Sequence, residues 1–268
     1  MRSHFFTTAA SDASIRLEGL RFFTVKSPAL KRRADLTVWL PEGTETLTDL
    51  PVVTLLHGVY GSHWSWALQG GAHEVARELV TAAHIRPLVL VMPSDGLWGD
   101  GSGYLTHHTA DYERWITNDV RALLREQVPA VTAASPHFIA GLSMGGYGAL
   151  RLGAKYPARF RGFSGLSSIT EFEQLGLFFE NGDLSNLRAE GVVEENVLYF
   201  LVKNRDHLPP FRFDCGTSDL LIEPNRTLHR ALDEAGIRHH YFEYPGGHEW
   251  PYWKAHLGET LRFFDHLC

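Results

Sequence analysis

A chain of 268 residues, 44% hydrophobic and 21% charged, can bury the core of a large α/β fold and has the composition of a soluble globular protein. Its net charge of −6 argues against nucleic acid as a partner. No stretch approaches the ~20 consecutive apolar residues of a membrane span, and no early apolar run reaches signal-peptide length, so a cytoplasmic location is the expectation. Cys215 and Cys268 are too few for a disulfide framework and read as free thiols.

Residues 20–26 and 34–40 read as strands, separated by a Ser27-Pro28 turn and a solvated Lys31-Arg32-Arg33 run. The continuous apolar run 52–56 has the character of a buried parallel strand and ends at His57-Gly58-Val59-Tyr60-Gly61. A helix is expected over 72–83, a second buried strand over 88–92, and then a long loop through Trp98 and Tyr104. A helix over 111–127 leads to a strand at 137–140 and a helix over 148–155, stopped by Pro157. A strand at 162–167 is followed by an irregular, partly helical stretch at about 169–208, read as a short cap-like insertion. Strand 210–216, helix 224–235, strand 239–244 and a helix over 252–266 complete the chain. Eight strands alternating with helices from the third onward imply an eight-stranded, mostly parallel sheet with helices on both faces, in one domain.

Between the strand at 137–140 and its helix lies Gly141-Leu142-Ser143-Met144-Gly145, a serine between two glycines on a strand-to-helix turn. Glycine at both flanks makes room for strained backbone at the serine, which is the geometry of a nucleophile elbow. A serine hydroxyl needs a base within reach and an acid to orient that base. In the order serine, acid, histidine, the acid belongs after the seventh strand and the base after the eighth. Asp219 stands just past 210–216, and Glu223, four residues on, is its understudy. His248, after Gly246-Gly247, is the histidine in the last loop; His229 and His256 fall within helices, and His239-His240 at a strand start. Backbone N–H groups must hold the oxyanion. Met144 supplies one and Val59 the other, with Tyr60 as the rival; His57 is assigned to bonding loop backbone. The pairs His107-His108 and His239-His240 do not match a zinc spacing, and the chemistry needs no metal or other cofactor.

Four blocks, Leu55-Leu56-His57-Gly58, Gly141-Leu142-Ser143-Met144-Gly145-Gly146, Asp214-Cys215-Gly216-Thr217-Ser218-Asp219 and Pro245-Gly246-Gly247-His248-Glu249-Trp250, resemble those of the esterase D-type α/β-hydrolases. That group includes S-formylglutathione hydrolases, feruloyl and acetylxylan esterases, tributyrin-type esterases and the antigen 85 mycolyltransferases; the chain is most similar to the small tributyrin-type esterases. The resemblance runs from about residue 22 to 264 and implies the α/β-hydrolase fold, a Ser143–Asp219–His248 triad and oxyanion donors at Val59 and Met144.

The expected activity is therefore serine-dependent hydrolysis of small carboxylic esters through an acyl-serine, with a small-molecule ester as partner. The rivals are an acyltransferase of the mycolyl type and an inactive binding protein on a hydrolase scaffold. Trp64, Trp66, Trp98, Tyr104 and Phe178 are the candidate substrate-contacting rings, expected to close the pocket to long acyl chains.

Overall fold

The computed structural model describes residues 3–11, 17–44, 46–180, 182–188 and 195–268. Nine strands form one sheet in the order β1-β2-β3-β5-β4-β6-β7-β8-β9. They are β1 (Thr8–Ala10), β2 (Leu20–Lys26), β3 (Arg33–Trp39), β4 (Val52–Leu56), β5 (Val89–Pro93), β6 (His137–Leu142), β7 (Gly162–Leu166), β8 (Phe211–Gly216) and β9 (His240–Tyr244). The first three are antiparallel, β3 pairing antiparallel with β5, and the remainder run parallel. The strand that the sequence reading lacks is β1. It is three exposed residues on the outside of β2, with no apolar alternation to reveal it.

The parallel strands β4 to β8 are buried along their whole length, which is why they read as apolar runs. Alternate residues feed two cores. Val52 and Leu56 of β4 face one layer, and Val53 and Leu55 face the other. The second layer holds α1 (Ser65–Leu68), α2 (Ala72–Thr81) and the carboxyl-terminal helix α8 (Trp250–Asp265). The first holds α3 (Tyr112–Arg114), α4 (Val120–Gln127), α5 (Met144–Lys155), α6 (Val197–Lys203) and α7 (Ile222–Glu234). A π-helical turn, Trp115–Asp119, joins α3 to α4, so the expected helix over 111–127 is present with a wider turn at its centre. Asp111 caps it, its carboxylate accepting from the Arg114 N–H at 2.8 Å. Among the described residues no helix is long and apolar enough to cross a membrane.

The insertion after β7 divides in two. Its first part is a 3-10 helix, Phe172–Leu177, running into Phe178 and Phe179 beside the carboxyl ends of the strands. Its second part is α6, which packs on α5 and α7 as a member of the core layer. Within the stretch read as cap-like, 169–208, of which 181 and 189–194 lie outside the described residues, Val197, Phe200 and Leu201 bury against the body of the fold.

A buried ionic network ties these pieces to the helix behind Ser143. Arg151 of α5 is fully enclosed and bonds Glu195, just before α6, and Glu113 of α3 at 2.7 Å. Lys155 approaches Glu113 at 2.9 Å, and the Tyr156 hydroxyl donates to the same carboxylate. Burial alone would raise Glu113, but the Arg151 and Lys155 charges hold it below the usual carboxylate value. Replacing Arg151 by Met leaves buried Glu195 without its cation and Glu113 with Lys155 alone, a change expected to cost about 3–5 kcal/mol near neutral pH. Protonation of the orphaned Glu195 carboxylate makes that deficit shrink as the pH falls. Urea unfolding at pH 7 and pH 5 measures both; a loss under ~1 kcal/mol would mean that water reaches the carboxylates in the variant.

Candidate active site

Ser143 occupies the single residue between β6 and α5, with φ +54° and ψ −119°. An L-residue there is strained by roughly 1–3 kcal/mol. The turn is held by three backbone bonds: Ser143 N–H to Leu166 O at 3.0 Å, Tyr147 N–H to Ser143 O at 3.0 Å, and Ile169 N–H to Ser143 O at 3.2 Å. The flanking glycines are required by contact. A Cβ on Gly145 would run into the Leu56 and His57 carbonyls, and one on Gly141 into the backbone of Gly145.

The loops after β8 and β9 bring two more side chains to this turn. The Thr217 N–H donates to Tyr244 O at 2.8 Å and the Ser218 N–H to Gly246 O at 2.9 Å, so the two loops are laced together. Gly246, at φ +137°, makes the bend that turns the chain back over the sheet. Asp219 is buried; its Oδ1 accepts from the Leu221 N–H at 2.8 Å and its Oδ2 lies 2.9 Å from His248 Nδ1. His248 Nε2 lies 2.9 Å from Ser143 Oγ. The carboxylate can only accept, so Nδ1 carries the proton and Nε2 presents its lone pair to the serine. Burial pushes Asp219 up, but the bond and charge of His248 outweigh it and hold the carboxyl below its ordinary value. Glu223 is elsewhere, exposed and paired with Arg226 at 2.6 Å on the outer face of α7.

The imidazole of His248 is fixed by rings as well. Phe178 stacks on it with centroids 5.3 Å apart, and Trp253 meets it edge-on at 5.1 Å. These rings, with Trp250, Leu142, Gln69 and the segment 57–61, line a cleft of about 270 Å³ that opens on Ser143 and His248. The Tyr60 hydroxyl closes one rim by donating to Phe178 O at 2.9 Å.

Of the five candidate substrate-contacting rings, only Phe178 lines this cleft. Trp66 is buried beneath it, its indole N–H donating to Leu56 O at 2.9 Å. Tyr104 is likewise enclosed, its hydroxyl donating to His57 O at 2.9 Å. Trp98 packs edge-on against His107 at 4.6 Å, and Trp64 is the exposed residue before α1. Trp66 and Tyr104 hold the strand β4 terminus from below, which places their rings away from substrate. Trp250 and Trp253, which the sequence reading did not single out as substrate-contacting, line the cleft instead, and the only signal for them in the chain was closeness to His248.

The segment after β4 lies against the serine. A Cβ on Gly58 would stand 3.3 Å from that of Ser143. His57 Nδ1 donates to Gly58 O at 2.7 Å, and its Nε2 accepts from the Asp95 N–H at 3.1 Å, so both ring nitrogens are spent on loop backbone. The Tyr60 N–H is spent too, on Asp100 O at 2.8 Å. Among the described residues, the Val59 and Met144 N–H groups have no acceptor within the fold.

Among the described residues one group of side chains could hold a metal ion, His229, Asp233 and His239, but it joins α7 to the start of β9, at the far end of the strand from His248. Both cysteines are free thiols, Cys215 buried in β8 and Cys268 exposed.

A mostly parallel sheet with helices on both faces, and a serine on a strained turn at the carboxyl edge of its strands, is the α/β-hydrolase fold. The Putative esterase family profile matches residues 27–264, and the chain belongs to that family: it is an esterase. It is 28% identical over 234 residues to an acetyl esterase of Caldicellulosiruptor saccharolyticus, an alignment covering 81% of this chain and 84% of that one. Among solved structures, a ferulic acid esterase superposes with a TM-score of 0.81 at 24% identity, covering 98% of this chain and all of the other. An S-formylglutathione hydrolase from Agrobacterium tumefaciens gives 0.75 at 20% identity, covering 98% of each chain. At those identities the structural likeness shows the fold.

The strain at residue 143 has a measurable signature. Ser143→Gly relieves the left-handed backbone, offset in part by the greater freedom of glycine in the unfolded chain. The expected net gain is about 1 kcal/mol of stability, seen as a raised Tm, whereas Ser143→Ala leaves Tm near that of the wild type. A Gly variant that melts lower than the Ala variant would contradict the reading of the turn as strained.

Proposed function

We propose that the protein hydrolyses small carboxylic esters by acyl transfer through Ser143. The observation that carries the reading is the unbroken relay Asp219–His248–Ser143, with 2.9 Å at each step, at the mouth of a cleft. Ser143 Oγ attacks the ester carbonyl while His248 Nε2 takes its proton. The tetrahedral oxyanion is held by the Val59 and Met144 N–H groups, a reading supported by the lack of any other acceptor for them and by the prior engagement of Tyr60. Collapse of the intermediate expels the alcohol with the proton returned by His248, leaving an acyl-serine. Water then attacks the acyl group, activated by the same nitrogen, and releases the acid. Asp219 keeps the imidazole in the correct tautomer and stabilises its charged form, which its lowered pKa suits.

On this reading Ser143→Ala lowers kcat at least ~10⁴-fold, and Asp219→Asn lowers it by orders of magnitude because an amide favours the wrong tautomer. Glu223→Gln leaves kcat unchanged. Steady-state hydrolysis of p-nitrophenyl acetate reads all three, and a crippled Glu223→Gln beside a near-normal Asp219→Asn would move the acid.

The size of the cleft supports a short acyl group. About 270 Å³ walled by Phe178, Trp250 and Trp253 is at the low end for a ligand pocket, and an acetyl esterase is among the relatives. Acetyl to butyryl esters are the expected best substrates, with kcat/KM falling beyond about six to eight carbons. Phe178→Ala should move the optimum toward longer chains, while Trp98→Ala, packed on His107, should not. A wild-type optimum at a dodecanoyl ester would refute the short-acyl pocket and leave the relay intact.

A further inference from the structure

The amino-terminal end of β6, opposite Ser143, opens into a hollow of about 470 Å³ lined by five basic side chains: Arg121 and Arg125 of α4, His137, Arg159 and Arg161. For a chain of net charge −6 this is a local reversal of sign. The bonds that anchor these arginines go to neutral oxygens. Arg121 donates to the Arg159 carbonyl, and Arg159 to the Thr117 carbonyl at 3.0 Å and Asn118 Oδ1 at 2.8 Å. Among the described residues, none of the four forms an ion pair with a carboxylate.

Two buried nitrogens of the lining residues have no hydrogen-bond partner: His137 Nε2, on a residue 6% exposed, and Arg121 Nε. Burial, with Arg159 and Arg125 beside it, lowers the Arg121 guanidinium to about 10. Burial, with Arg121 and Arg125 beside it, lowers His137 to about 3. Like charges crowded around unpaired donors are destabilising, and a bound anion reverses the sign of each of those interactions. Guanidinium forks match the oxygens of a phosphate group two at a time.

We infer that this hollow binds a small, multiply charged oxyanion, free phosphate or the phosphate group of a phosphorylated metabolite, through Arg121, Arg125, Arg159 and Arg161, with His137 Nε2 as a further hydrogen-bonding partner. The volume admits a small molecule, and the acidic remainder of the surface opposes a long polyanion. The site shares no lining residue with the catalytic cleft, and β6, six residues or roughly 20 Å long, lies between them.

The test titrates the untagged protein with inorganic phosphate and, separately, with glycerol 3-phosphate, following Tm and heat of binding against sodium chloride of equal ionic strength. Expected is a saturable rise in Tm with half-effect at or below about 1 mM, stronger for the phosphomonoester if a metabolite is the occupant. Arg125→Gln/Arg161→Gln, which removes two exposed members, should weaken it at least tenfold and leave p-nitrophenyl acetate hydrolysis unchanged. No rise above chloride, or an equal rise in the double variant, overturns the site, since excluded-salt stabilisation acts on both proteins alike. Binding to vesicles containing phosphatidic acid, with no response to either soluble phosphate, overturns it in favour of a lipid surface.

Discussion

The approach of α5 to the end of β4 is the constraint on which the catalytic end depends. Gly145 lies so close to the Leu56 and His57 carbonyls that no side chain fits between them. That contact fixes the first turn of α5, and with it the left-handed turn at Ser143. It also presses the segment 57–59 against the serine, so that Ser143 and the Val59 and Met144 N–H groups are placed by a single packing event. The costs are met elsewhere in the layer. Tyr104 and Trp66, one from each core layer, hold the His57 and Leu56 carbonyls, and Arg151 anchors the same helix through Glu113 and Glu195.

The second half of the relay is built differently. Asp219 and His248 sit on adjacent loops laced by backbone bonds, and their side chains are oriented by neighbours: the Leu221 N–H for the acid, Phe178 and Trp253 for the base. The Phe178 contact brings the insertion after β7 into the working geometry, and the Tyr60 hydroxyl links that insertion to the segment carrying Val59. Movement of the insertion, or of the segment carrying Val59, disturbs the walls of the cleft together with the imidazole.

Much of this was legible in the chain because loop position follows from strand order. Once the apolar runs are counted, the residues just past the seventh and eighth of them can only be at the carboxyl edge of the sheet, and Asp219 and His248 are found there. Side-chain direction is not encoded in that way. Tyr104 and Trp66 share with Trp253 an aromatic ring near a catalytic loop, yet two of these rings turn down to meet strand carbonyls and one turns up to meet the base. A φ of +55° at Tyr104 decides its course, and no local pattern announces it. The edge strand β1 was hidden for the opposite reason, its three residues being exposed on both faces of the sheet with no apolar pattern. The arginine hollow was invisible because its members come from α4, the start of β6 and the turn before β7, which only the closed fold brings together.

The position of β9 bears on how the enzyme fails. It is the outermost strand, hydrogen-bonded to β8 on one side only, and its residues are half-exposed where those of β4 to β8 are enclosed. Strands of that kind open by local fluctuations far smaller than the free energy of global unfolding. Because His248 is carried on the loop that β9 launches, each such opening draws the imidazole away from Ser143 while the rest of the sheet stays formed. In the proposed mechanism such an opening interrupts turnover while the cores on both faces are still intact, which ties heat resistance of the activity to one edge of the sheet.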